Sequence, residues 1–289
     1  MDGESKSPFA GRRYGVFDLD GTVFRWSMML YAIDLLSQEG KIPKHVLDES
    51  HRLRREWKRR ETAIAYDRYI RHAVFAFEDQ LGKGLTRADM MRVGQRVIDR
   101  QGDKVYVFTR SLLQALQESG YVTIALSHSS QELVDLFAEK WKFHIALGTV
   151  AHADAGGTYT GTRVLPAKFD ELERLIAEHG LERAGSIGVG DTVGDVPMVL
   201  ATDIPILFNP ADAMVKSAMV ETPKRRHPKA TPPVIVTERK NVIWTRGLNP
   251  FRNYTTADLF YSDGFPFPLP EAVRRRTWQL IEEAGYGIY

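Results

Sequence analysis

Two aspartates spaced two residues apart close a short apolar run, Gly15-Val16-Phe17-Asp18-Leu19-Asp20, and Gly21 and Thr22 follow directly. An apolar run of this length before a glycine reads as a buried strand. Alternate residues of a strand face the same way, so the carboxylates of Asp18 and Asp20 can share one site at its carboxyl end. Glycine followed by threonine favours a sharp exit with backbone N–H groups and a hydroxyl close by, which suits a phosphate held over a carboxylate nucleophile. Taken alone, the pattern also fits a strand end capped by solvated acids.

Three later segments supply partners. "VTIALSHSS" places Ser127 at the end of another apolar strand, with His128 beside it. "RVLPAKFDELERLI" puts Lys168 at the start of a helix, and "SIGVGDTVGDVPMVL" ends a third strand in Gly190-Asp191 with Asp195 following. Each residue has a plain reading by itself: a solvated lysine, a helix-capping serine, first-turn acids favoured by the helix dipole. Together, at the mouths of strands, they imply one crevice.

This ordered set resembles the haloacid dehalogenase superfamily of aspartate-nucleophile phosphotransferases, specifically its phosphoserine-phosphatase-like branch, subfamily IB, over roughly residues 12 to 220. The resemblance implies that Asp18 is the nucleophile and Asp20 the general acid and later base. It implies that Ser127 binds the transferring phosphoryl group and that Lys168 neutralises charge on the phosphate and on Asp18. Asp191 would hold Mg2+ with Asp18 and the backbone carbonyl of Asp20, while Asp195 supports the metal shell or orients Lys168. Gly21, Thr22 and His128 are further candidates for contact with the phosphate. The residue types make chemical sense, because a phosphate monoester repels an anionic nucleophile until a hard cation and a lysine bring the two together.

Periodicity gives the organisation. Residues 27–38, 43–80 and 86–101 read as helices, broken by Gly40 and the "LGKGLT" turn. Helix and strand signals then alternate: helices at 110–119, 130–141, 167–179 and 195–202, strands at 122–127, 143–148, 186–190 and 204–208, with a small hairpin or extended loop at 156–161. That rhythm predicts an α/β fold with a doubly wound, mostly parallel, Rossmann-like sheet and ligands at the carboxyl ends of its strands. The expected units are a catalytic core over 12–24 and 103–220, an all-helical cap over 25–102 inserted after the first strand, and a C-terminal extension over 221–289.

The cap is expected to exclude water and choose the substrate. Phosphoserine phosphatases carry a glutamate nine residues after the nucleophile, whereas Ser27 stands there in this chain, which argues against phosphoserine. Arg25, Trp26, Ser27 and Met28 are the candidates for selecting the leaving group; Met28, Met29 and Tyr31 equally suit packing of the cap against the core. The basic run "HRLRREWKRRE" at 51–61 reads as a solvated cap face or an anion-binding surface, and "PKRRHPK" at 223–229 as an exposed crossing segment. The extension, rich in aromatics and proline, has one further helix at 270–284 and is expected to wrap its own core or a second copy in a homodimer.

Composition narrows the class. The formal net charge is +2, too small to argue for nucleic acid, and no stretch of about 18 apolar residues offers a membrane span. With no cysteine, disulfide and zinc-thiolate frameworks are excluded, which is compatible with a reducing cytoplasm. The expected activity is Mg2+-dependent hydrolysis of a small-molecule phosphate monoester. Transfer of the phosphoryl group to another acceptor, or an anion- or protein-binding module, are the alternatives.

Overall fold

The computed structural model describes residues 7–62, 64–224, 231–248, 260–261 and 267–289. Its strands are β1 (Arg13–Phe17), β2 (Val122–Ser130), β3 (Ile145–Ala153), β4 (Tyr159–Val164), β5 (Glu182–Gly190), β6 (Ile204–Phe208), β7 (Val234–Arg239), β8 (Val242–Leu248), β9 (Phe260–Tyr261) and β10 (Gly287–Ile288). They form one sheet in the order β10-β8-β7-β6-β5-β1-β2-β3-β4, with β9 also paired to β8. From β3 to β7 all neighbours are parallel. Burial on both faces explains why these strands read as near-continuous apolar runs. On β1, Tyr14 and Val16 pack on one side with Leu172, Leu175 and Met198, while Phe17 faces the other side with Leu112, Leu116 and the cap.

Helices α1 (Met28–Gln38), α2 (Asp48–Arg59), α3 (Ala65–Glu78) and α4 (Arg87–Gln101) lie between β1 and α5 (Val107–Glu118). The single helix expected over 43–80 is in fact a 3-10 turn, Lys44–Leu47, followed by α2 and α3. Arg60 adopts φ 55 and its N–H donates to the carbonyls of Glu56 and Trp57, ending α2. An unbroken helix would leave its apolar stripe without a partner. Folding back sets Trp57 against Tyr66 and Tyr69, with ring centroids 5.3 and 6.2 Å apart. Most of the arginine-rich face of α2 is left to solvent.

The expected turn at 156–161 belongs to a longer antiparallel hairpin, β3–β4, that reaches the cap. Tyr159 donates its N–H to the Leu85 carbonyl at 3.0 Å, and Arg87 donates to the Gly157 carbonyl at 2.9 Å. On the core, α6 (Gln131–Trp141), α7 (Lys168–His179), α8 (Val196–Leu200) and α9 (Asp212–Glu221) follow β2, β4, β5 and β6.

The C-terminal extension, expected to pack on the core or on a second copy, meets the core both in the sheet and on one of its helices. β7 adds to β6 in parallel and β8 returns through a tight turn in which Lys240 has φ 56, so these residues continue the sheet in its own plane. The last helix, α10 (Glu271–Glu283), packs on α5, where Phe108, Phe267 and Trp278 meet. Most of the 223–229 basic segment and the aromatic stretch at 249–259 lie outside the described residues.

Candidate active site

The carboxyl ends of β2, β1 and β5, adjacent in the sheet, present the polar residues together. Asp18 follows β1, its backbone N–H bound to the Val189 carbonyl at 2.9 Å. Its carboxylate accepts from the Lys168 ammonium at 2.6 Å, and the same ammonium lies 2.5 Å from Asp195. All three side chains are buried. Burial alone would lower the Lys168 pKa, but the charges of Asp18 and Asp195 outweigh it and raise it, so this cation stays charged. Burial raises Asp18, which Lys168 only partly offsets.

Asp191 lies across from Asp18. Gly21, at φ +88, lets the two loops meet, since a Cβ there would stand 2.2 Å from an Asp191 carboxylate oxygen. Burial and the neighbouring charges of Asp18 and Asp195 push Asp191 well up from the ordinary carboxylate value. Oxygens of Asp18, Asp191 and Asp195 all fall within 4.8 Å of one another. Three acids face one ammonium here, and the carboxylate oxygens of Asp18 and Asp191 are a donor set that fits a hard divalent cation.

Asp20 occupies a separate niche. One oxygen accepts the backbone N–H of Met28, in the first turn of α1, at 2.7 Å, and the other accepts the Ser129 hydroxyl. Burial nevertheless pushes its pKa up to about 6. The two carboxylates of the Asp18-Leu19-Asp20 pair therefore differ in surroundings: one faces an ammonium and two acids, the other a helix start and a hydroxyl.

A cavity of about 560 Å3 opens over this floor. Asp18, Asp20, Ser127, Lys168 and Asp191 line its base, and its upper wall comes from α3 of the cap and from the β3–β4 hairpin. A family model described as haloacid dehalogenase-like hydrolase matches residues 16–199, the span that carries this floor. The chain belongs to that family.

The hydrolase is similar in fold to a protein of unknown function from Bordetella pertussis Tohama I, at 19% identity and TM-score 0.57, covering 73% of this chain and 96% of that one. It is also similar to a substrate-bound phosphoserine phosphatase, at 17% identity and TM-score 0.50, covering 72% of this chain and 90% of that one. No curated protein sequence matches the chain.

Within the hydrolase, Asp18, Asp20, Ser127, Lys168, Asp191 and Asp195 come together, while several other candidates are held by contacts within the protein. Thr22 is fully buried and donates its hydroxyl to Asp191 at 2.9 Å, so it braces a carboxylate and does not face a phosphate. His128 lines the cavity, yet its Nε2 lies 3.2 Å from the Pro166 carbonyl, which anchors the loop leading to Lys168. Both Asp195 oxygens are engaged: one with Lys168, the other with the Thr192 hydroxyl at 2.7 Å and the N–H groups of Thr192 and Asp191 at 2.9 and 3.2 Å. That makes Asp195 a brace for Lys168 and for the Asp191 loop. The Asp20 carboxylate stands outside the acidic cluster.

Of the four substrate-selecting candidates, only Ser27 borders the cavity, and its hydroxyl caps α1 by accepting from the Leu30 N–H at 3.4 Å. Arg25 points the other way, pairing with Glu238 and donating to the Val105 carbonyl at 2.9 Å. Met28 is buried in the core and serves through its backbone. Trp26 reaches the cavity indirectly, through contact with Tyr66, a lining residue, at a ring separation of 5.8 Å.

Ser129, whose hydroxyl donates to Asp20, is not among the residues that the sequence singles out. The same two-residue alternation that pairs Asp18 with Asp20 sets Ser127 and Ser129 on one face, and that signal could have found it. Nothing local in the sequence marks Tyr66, Val74 or Leu165 as cavity residues.

Proposed function

We propose that the hydrolase is a Mg2+-dependent phosphatase that cleaves an organic phosphate monoester through an aspartyl-phosphate on Asp18. The observation that carries this reading is the pair of differently held aspartates: Asp18 against Lys168 at 2.6 Å, and Asp20 apart, bound to Met28 N–H and Ser129. An Asp18 oxygen attacks phosphorus while Asp20 gives its proton to the departing ester oxygen, so the P–O bond to the leaving alcohol breaks as the bond to Asp18 forms. Asp20, now a carboxylate, takes a proton from the water that attacks the aspartyl-phosphate. The bond to Asp18 breaks, inorganic phosphate leaves, and Asp20 is again protonated.

A pKa of about 6 suits a group that must give and take a proton near neutrality. Lys168 holds positive charge beside the nucleophile, and the Ser127 hydroxyl, buried at the cavity floor, is placed to hold a phosphoryl oxygen. Asp18 and Asp191, with the backbone carbonyl of Asp20, would hold the Mg2+, which supplies the charge that lets two anions meet.

The test is release of inorganic phosphate from a panel of monoesters with and without Mg2+, with Asp18→Asn alongside. Cation-dependent release that the variant lacks is expected. Equal release from both proteins would overturn the reading.

A further inference from the structure

The floor of the cavity is charged, and above it runs a largely apolar stretch of wall. Met29, Ile70, Val74, Phe77, Leu81 and Met90 line it from the cap side. Ionic groups border this wall as well: Asp67 and Arg71 stand exposed at its edge, and three others are engaged with the protein itself through at least one polar atom. Arg163 lies 2.7 Å from Glu78, and Glu132 accepts the Tyr159 hydroxyl at 2.8 Å. Ser27, on the cavity border, caps α1 with its hydroxyl.

The apolar lining continues to the rim. Phe75 and Leu165 both line the cavity and are 58% and 47% exposed. Large side chains left in water beside a cavity of this kind mark a surface that an apolar ligand covers. A volume of about 560 Å3 sits within the range that holds drug-sized ligands, far more than a phosphate with a three-carbon body needs.

Resting on the phosphatase reading above, we infer that the substrate is the phosphate monoester of a large apolar alcohol, alkyl or isoprenoid in character, whose hydrocarbon lies along α3 and leaves the cavity between Phe75 and Leu165. The phosphate sits on the charged floor and the hydrocarbon supplies the binding energy. Selection among phosphate esters then follows chiefly from apolar area removed from water.

The experiment compares kcat/KM for ethyl, butyl, octyl and decyl phosphate, each below its micelle concentration, with O-phosphoserine and acetyl phosphate, all with Mg2+. In parallel, binding of the matching alkylphosphonates to Asp18→Asn is measured by calorimetry. Expected is a rise of roughly threefold per methylene in kcat/KM, and a parallel fall in phosphonate Kd. Val74→Asp is expected to cut the decyl-to-ethyl ratio of kcat/KM at least tenfold.

Release that is flat along the series, or highest for phosphoserine, would overturn this inference and leave the phosphatase reading standing. Chain-length-dependent phosphonate binding without release from any ester would do the reverse. Neither release nor chain-length-dependent binding would overturn both.

Discussion

The carboxylate of Glu238, on β7, accepts the backbone N–H of Phe108, at the start of α5, at 2.8 Å, across 130 residues of sequence. Its other oxygen pairs with Arg25, at the entry to the cap. The outgoing and returning cap linkers are themselves joined, Arg25 N–H to the Lys104 carbonyl at 2.8 Å and Tyr106 N–H to the Val23 carbonyl at 3.0 Å. A buried side chain of the C-terminal extension thus fixes the place where the cap joins the core. Glu238→Ala leaves the Phe108 N–H buried without a partner and is expected to cost about 2 kcal/mol in urea denaturation. Arg25→Ala should cost less, because the guanidinium is partly in solvent; the opposite order would show that the ion pair, not the backbone contact, holds the junction.

Ser129 sets the Asp20 carboxyl by a single hydroxyl. Removing it in Ser129→Ala should lower kcat by roughly ten- to a hundredfold through loss of orientation, with a smaller change in KM. Steady-state kinetics on any accepted ester separates the two parameters.

Lys168 lies between two buried acids. Lys168→Met leaves Asp18 and Asp195 facing one another without their cation and is expected to cost about 3 kcal/mol in stability without divalent metal, besides abolishing turnover. Adding Mg2+ should raise the Tm of this variant more than that of the wild type, since added positive charge then has more to balance. Equal increments in a melting experiment would count against the charge argument.

Asp89, in the first turn of α4, gives a pH test away from the site. Burial alone would raise its pKa, but the Thr86 hydroxyl at 2.8 Å, Lys41 at 3.1 Å and Arg92 at 2.9 Å bring it down from 3.8 to about 2. A folded-state pKa below the unfolded one adds stability above the unfolded value, and this is lost as pH falls through the folded one. Asp89→Asn is therefore expected to destabilise by about 1 kcal/mol at pH 7, the screening of surface pairs included. The gap to the wild type should close as pH falls from about 4 to about 2.

The floor of the site was legible because its residues terminate apolar strands, and strand ends in a doubly wound sheet converge whatever lies between them. Asp18, Ser127 and Asp191 stand at the ends of three adjacent strands for that reason. The cap wall was not legible. Which face of α3 meets the cavity depends on the reversal at Arg60, where no glycine or proline announces a break. Arg25 read as a substrate contact because its acid lies 213 residues further on. β7 and β8 are ordinary apolar runs, and only the open edge of β6 turns them into strands of the core sheet.

The β3–β4 hairpin meets the cap at Leu85 and Arg87, while the two linkers join it to the core at Arg25 and Tyr106. A lid fastened along two separate seams does not swing on one hinge. The roof over the cavity is therefore tied to the body of the molecule at both of its ends, like a bridge resting on two piers.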